Sequence, residues 1–101
     1  MSSKIISYGR HSVNNDDIKS VLTVLKSNFL TQGPEVSKFE NRTKKIVGSK
    51  YSVAVNSATS ALHLACLSLG IKPNDIVWIS ANGFVATSNC ALYCNAKIKF
   101  I

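Results

Sequence analysis

The residues best equipped for chemistry stand together at Asn56-Ser57-Ala58-Thr59-Ser60. An apolar run, Val53-Ala54-Val55, stops there, and a helix-patterned segment beginning Ala61-Leu62-His63-Leu64 follows at once. Small side chains let a backbone approach a ligand closely, and the first turn of the new helix points unpaired N–H groups at whatever occupies the turn. Those amides and the positive end of the helix dipole both favour an anion. Thr59 and Ser60 add hydroxyl donors. The chain has neither a G-x-x-x-x-G-K-S/T loop nor a G-x-G-x-x-G fingerprint, so the spacing points to a phosphate without saying whose. An ordinary strand-to-helix turn with Ser57 as N-cap explains the same five residues on spacing alone.

The other reactive side chains form no comparable group. Cys66, Cys90 and Cys94 lie on apolar helical patterns, and Cys90 and Cys94 share an i, i+4 spacing. A metal would need further ligands, and the two histidines, His11 and His63, belong to unrelated segments. Buried free thiols in a reducing compartment are the expectation. His63 reads as a packed helix residue, and Arg10 and His11 read as a solvated loop that could also meet a diphosphate.

The chain has 101 residues, 46% hydrophobic and 17% charged, a balance that builds a core rather than a disordered segment. Twelve Lys and Arg against five Asp and Glu give a net charge of +7, which raises an anionic metabolite or a nucleic acid as partner. The bases are scattered, with no run longer than Lys44-Lys45 and no interleaved aromatics of the kind single-strand binders use. The charge therefore reads as a solvated surface. Neither a secretory signal nor an apolar stretch of membrane-spanning length stands out, so a cytoplasmic protein is expected.

The elements that must position the turn follow from periodicity and punctuation. Asn14 or Asn15 caps a helix carrying Ile18, Val21, Leu22 and Leu25, with Asp16 and Asp17 in its first turn. Leu30-Thr31-Gln32-Gly33-Pro34 breaks that pattern, and Pro34 opens a second helix whose buried side is expected to be Val36, Phe39, Thr43, Ile46 and Val47. Gly48 is placed to stop it. Strand-like runs at Tyr51–Val55, Ile76–Ile79 and Lys97–Ile101 alternate with helical stretches over Thr59–Leu69 and Phe84–Cys94, with a turn at Lys72-Pro73-Asn74-Asp75. This order specifies an α/β fold with helices packed on a mainly parallel sheet. In such sheets ligands gather at the carboxyl ends of strands, and both Asn56–Ser60 and Ser80–Phe84 fall there. Lys97-Ile98-Lys99-Phe100-Ile101 breaks off within a strand pattern, so a truncated first part of a larger protein is expected.

Several blocks, in order, carry a resemblance. They are Tyr8-Gly9-Arg10, Leu30-Thr31-Gln32-Gly33-Pro34, Phe39-Glu40, Val55-Asn56-Ser57-Ala58-Thr59-Ser60-Ala61-Leu62-His63 and Phe84-Val85-Ala86-Thr87-Ser88-Asn89. Together they resemble the N-terminal part of the pyridoxal-phosphate-dependent sugar-nucleotide aminotransferases of the DegT/DnrJ/EryC1/StrS family. The tail Cys90-Ala91-Leu92-Tyr93-Cys94-Asn95-Ala96 is similar to the branch that makes UDP-4-amino-4,6-dideoxy-N-acetyl-β-L-altrosamine in pseudaminic acid synthesis.

The resemblance implies the large domain of an aspartate-aminotransferase-like fold, a homodimer, and a ping-pong reaction. In that reaction glutamate donates an amino group, by way of pyridoxal 5′-phosphate, to the 4-keto carbon of a UDP-linked sugar. It assigns Ala58, Thr59 and Ser60 to the cofactor phosphate and Phe84 to stacking on the pyridine ring. Thr31, Gln32 and Gly33 line the sugar-nucleotide pocket, with Tyr8 near it. Residues 1–34 become an N-terminal helix and substrate-loop segment, and 35–101 the first part of the cofactor-binding domain. One departure stands out: Ser80-Ala81-Asn82-Gly83 replaces the family's Thr-Pro pair before the aromatic, which should loosen that loop. The Schiff-base lysine is expected beyond Ile101, leaving no catalytic residue in this chain and no activity by itself. Alternative readings are a 3-aminotransferase or dehydratase of the same family, a non-catalytic basic anion- or nucleic-acid-binding module, and a stand-alone βαβ protein.

Overall fold

Helix ends are where this sequence speaks most plainly, and they order the fold. A computed structural model describes residues 9–101. Residues through Phe39 form one compact unit and Glu40–Ile101 a second.

Helix α1 (Asn15–Leu25) opens under a capping box. The Asn14 side chain accepts the amides of Asp16 (2.8 Å) and Asp17 (3.1 Å), and the Asp17 carboxylate accepts the Asn14 amide at 2.9 Å. Helix α2 (Pro34–Val47) begins on proline, whose missing N–H is no loss in a first turn. It ends at Gly48, with φ of +66°, while the Ser49 amide reaches back to the Lys44 carbonyl at 3.1 Å. That is the left-handed cap a glycine makes easily.

The expected buried side of α2 is not buried. Val36, Phe39, Ile46 and Val47 are between 50% and 75% exposed, and Thr43 is only half-buried. Neither α1 nor α2 buries a residue. An apolar stripe is hidden only when a second surface lies across it.

The second unit holds the core. Helix α3 (Ala58–Ser68), strand β1 (Ile76–Ile79), helix α4 (Ala86–Tyr93) and strand β2 (Lys97–Phe100) follow in order. Strands β1 and β2 pair in parallel, Ile76 opposite Lys97 through Ile79 opposite Phe100. The turn before β1 closes on itself. Lys72 donates its amide to the Asp75 carboxylate at 2.9 Å and accepts the Asp75 amide at 3.2 Å.

Helix α4 packs against α3 and against both strands. Ala86, Cys90 and Ala91 give it a small-residue face that lets these elements approach closely. With Cys66, Ile79, Cys94 and Ala96 they make up the buried set. Helices α3 and α4 end like α2. Gly70 (φ +72°) and Asn95 (φ +57°) take the left-handed position, and Ile71 and Ala96 donate back to Cys66 and Ala91, each at 3.1 Å.

Several element ends shift by one residue from the sequence reading, and two departures are larger. Tyr51–Val55 forms no strand: its expected ladder has no partner among the described residues, and the Ala54 amide goes instead to the Glu40 carboxylate at 2.8 Å. Helix α4 starts at Ala86 rather than Phe84. The Phe84 carbonyl is taken by the Thr87 amide (3.0 Å) and the Thr87 hydroxyl (2.7 Å), a tight turn ahead of the regular helix.

Candidate functional site

Asn56–Ser60 forms a hydrogen-bonded cradle at the start of α3. Ser57 is the N-cap, in extended conformation (φ −156°, ψ 155°), and its hydroxyl oxygen accepts the Ser60 amide at 3.2 Å. The Ser57 and Ser60 hydroxyls lie 2.9 Å apart, and the Ser60 hydroxyl donates to Asn56 Oδ1, also at 2.9 Å. The Ser57 hydroxyl makes a longer approach to the same oxygen, 3.4 Å. Of the first three amides of α3, two remain open. Those of Ala58 and Thr59, at the first two helical positions, have no protein acceptor among the described residues. Ala58 is exposed, and Thr59 and Ser60 are half-buried.

This donor set suits a phosphate. Two free amides, the Thr59 and Ser60 hydroxyls and the dipole of an eleven-residue helix converge on one end of α3. No carboxylate stands in the turn to repel a dianion. The Ser60 hydroxyl has one proton, so serving a ligand oxygen means turning it away from Asn56.

Phe84 lies after the carboxyl end of β1, in the segment leading into α4, and is 75% exposed. The ring is therefore not packed into the core. Gly83 ahead of it has no positive φ, and a Cβ there would meet only Thr87 Oγ1 at 3.7 Å and the Ser80 carbonyl at 3.8 Å, ordinary contacts. Neither backbone shape nor space requires the glycine.

Thr31, Gln32 and Gly33 connect α1 to α2 in the first unit. Gln32 takes a left-handed conformation (φ +52°). A Cβ at Gly33 would stand 2.9 Å from Phe29 Cβ and 3.2 Å from its carbonyl oxygen, so the loop closes on Phe29 only because residue 33 has no side chain. Tyr8 lies outside the described residues. Arg10 and His11 are exposed.

The three cysteines gather, with Leu62 and Ile71 against them. Burial pushes the Cys66 thiol up to about 11, and hydrogen bonding and charge from Cys90 and Cys94 add to the rise. His63 packs edge-on to Tyr93, with ring centroids 5.2 Å apart. One contributor to the turn escaped the sequence reading: Glu40, fourteen positions from the Ala54 amide it holds. Spacing carries no signal for such a bond, although Glu40 stands in the quoted Phe39-Glu40 block.

Comparison with known proteins identifies the setting. Residues 11–101 match the DegT/DnrJ/EryC1/StrS aminotransferase family. The chain is 41% identical over 97 residues to the UDP-4-amino-4,6-dideoxy-N-acetyl-beta-L-altrosamine transaminase of Campylobacter jejuni, covering 96% of this chain and 26% of that protein. Among solved structures, Spr1654 from Streptococcus pneumoniae, described as a sugar aminotransferase and known in PLP and PMP forms, superposes with a TM-score of 0.86 at 26% identity. That match covers 95% of this chain and 24% of Spr1654. The Escherichia coli GDP-4-keto-6-deoxy-D-mannose-3-dehydratase with bound hydrated PLP follows at 0.84 and 26%, over 91% of this chain and 25% of its own. The chain thus spans about a quarter of the length of these relatives. Pyridoxal 5′-phosphate is the family's cofactor. The fold is a portion of the PLP-dependent sugar aminotransferase fold, and the chain belongs to the DegT/DnrJ/EryC1/StrS aminotransferase family.

Proposed function

We propose that this chain carries the cofactor-phosphate turn and the ring-stacking aromatic of a sugar-nucleotide aminotransferase. The reading rests on one observation, the pair of unpaired amides at Ala58 and Thr59 beside the Thr59 and Ser60 hydroxyls. Each hydrogen bond from such a donor to a charged oxygen contributes about 1.5–3 kcal/mol, and the helix dipole adds up to about 1 kcal/mol. Ser57 does not compete for the ligand: its oxygen holds the Ser60 amide and keeps the first turn in register. The exposed Phe84 ring offers a flat apolar face that orients a bound heteroaromatic ring and keeps water off one side. When bound, the cofactor supplies the electron sink for amino-group transfer.

The substrate proposed is a UDP-linked 4-keto-6-deoxy-N-acetylhexosamine, aminated at the 4-keto carbon with glutamate as donor. The 41% identity to the altrosamine transaminase over nearly the whole chain supports that choice over a 3-amination or a dehydration. Thr31, Gln32 and Gly33, with Tyr8, are proposed to meet the nucleotide sugar. A homodimer and a Schiff-base lysine outside these 101 residues complete the proposal.

Two experiments test it. Titration of the isotope-labelled chain with pyridoxamine 5′-phosphate, which lacks an aldehyde that would react with surface lysines, should shift the Ala58 and Thr59 amide resonances. Unmoved amides at saturating ligand would remove the phosphate reading. For the substrate, the protein assembled at the length of its relatives should form 2-oxoglutarate from glutamate beyond one equivalent per bound cofactor only when the 4-keto sugar nucleotide is present. Turnover with a 3-keto isomer instead, or loss of a sugar hydroxyl without amine transfer, would decide against it.

A further inference from the structure

We infer that Glu40 is a positioning residue for the phosphate turn. This rests on the reading of Asn56–Ser60 given above and concerns what holds that turn in place. Tyr51–Val55 leads directly into the turn, yet no strand pairs with it among the described residues. A segment without ladder bonds is fixed only by its ends and by side-chain contacts. At its start, the Ser49 hydroxyl donates to the Tyr51 carbonyl at 2.7 Å, a local bond. Among the described residues its non-local hydrogen bond runs to Glu40, whose Oε1 accepts the Ala54 amide at 2.8 Å.

Three features make this bond a determinant rather than a decoration. Ala54 stands two residues before Asn56, so the bond sets the direction in which the chain enters the cradle. Glu40 is carried on α2, a fourteen-residue helix, which gives the carboxylate a fixed base. The contact is half-buried, and a hydrogen bond from an amide to a side-chain oxygen is stronger there than in open water. Among the described residues the Glu40 carboxylate forms no ion pair; it holds a backbone amide.

The role depends on reach and not on charge. Glutamine keeps an oxygen at the same distance along the side chain, whereas aspartate keeps the charge and withdraws the acceptor by one methylene. Amide hydrogen exchange at Ala54 and pyridoxamine 5′-phosphate titrations followed at Ala58 and Thr59 should be recorded for the 101-residue chain and for Glu40→Gln and Glu40→Asp. Positioning predicts that Glu40→Gln retains Ala54 protection and binds within about twofold of the parent. Glu40→Asp should lose the protection and bind about fivefold to tenfold more weakly, the scale of one hydrogen bond. Equal binding by the parent and Glu40→Asp with Ala54 exposed to exchange would overturn the positioning role and leave the phosphate turn standing. Binding retained by Glu40→Asp but lost in Glu40→Gln would assign a charge role and overturn it as well. A parent chain whose Ala58 and Thr59 amides ignore the ligand, with Ala54 still protected, would instead bring down the phosphate reading and this inference with it.

Discussion

At Thr59 two roles of one residue can be separated. Its amide is free because it stands at the second position of α3, and any residue there would offer the same N–H. Its hydroxyl is its own. Thr59→Val keeps the shape and the amide and removes only the hydroxyl, so pyridoxamine 5′-phosphate affinity should fall about tenfold while the thermal midpoint stays near that of the parent. Titration calorimetry beside a melting curve checks both halves. Cys66 gives a second prediction. Its folded-state pKa of about 11 lies above the ordinary 9.0, so the folded chain keeps the thiol proton over a range where the unfolded chain has released it. Stability from this group is therefore complete below pH 9.0 and is lost as the pH rises towards about 11. Urea unfolding across that interval should show a steeper decline for the parent chain than for Cys66→Ala.

At the level of elements, what the sequence made legible was punctuation. Asn14 and Asp17 announced α1, Pro34 the start of α2, and Gly48 the end of α2, because a cap is a local bond between residues close in sequence. Strand β1 was readable to the residue from its apolar run and flanking turn. Tyr51–Val55 looked as much like a strand as β1 did. A strand is a relation between two segments, and nothing inside Val53-Ala54-Val55 records whether the second one is present. The apolar face of α2 was misread for the same reason. The cradle at Asn56–Ser60 was visible as a motif, but the Glu40 bond supporting it was not, since its partner lies outside any periodicity window. Two glycines make the contrast testable. Gly48→Ala should cost about 1 kcal/mol in urea unfolding, because φ of +66° crowds a side chain. Gly83→Ala meets only ordinary contacts and should be neutral or stabilising by up to about 1 kcal/mol.

For the molecule as a whole, the distribution of small and large side chains is uneven. The buried set is chiefly alanines and cysteines with Ile79, while Phe84, Trp78, Tyr51, Ile46 and Leu69 are all more than 60% exposed. The chain spans about a quarter of its relatives' length, and an apolar surface of this extent is unusual for a protein that stands alone. If the Schiff-base lysine stands outside these 101 residues, as proposed, then this chain mixed with glutamate, pyridoxal 5′-phosphate and a 4-keto sugar nucleotide should give no amino sugar. Detection of the amino sugar by mass spectrometry would place the whole catalytic apparatus within these residues. The net charge of +7 remains with scattered bases, and no described helix is long and apolar enough to cross a membrane.

One outward feature of the sheet doubles as a reporter. Trp78, the chain's one tryptophan, stands next to the buried Ile79 in β1 and is itself 65% exposed; Lys99, paired opposite it, holds its ammonium 5.3 Å from the ring centre. Intrinsic emission excited selectively at tryptophan therefore comes from one known face of the β1–β2 pair. In the chain by itself that light should be red-shifted, as from an indole in water. Any polypeptide that comes to lie over this face must displace both the water and the ammonium, so the molecule carries its own optical gauge of assembly without an attached dye.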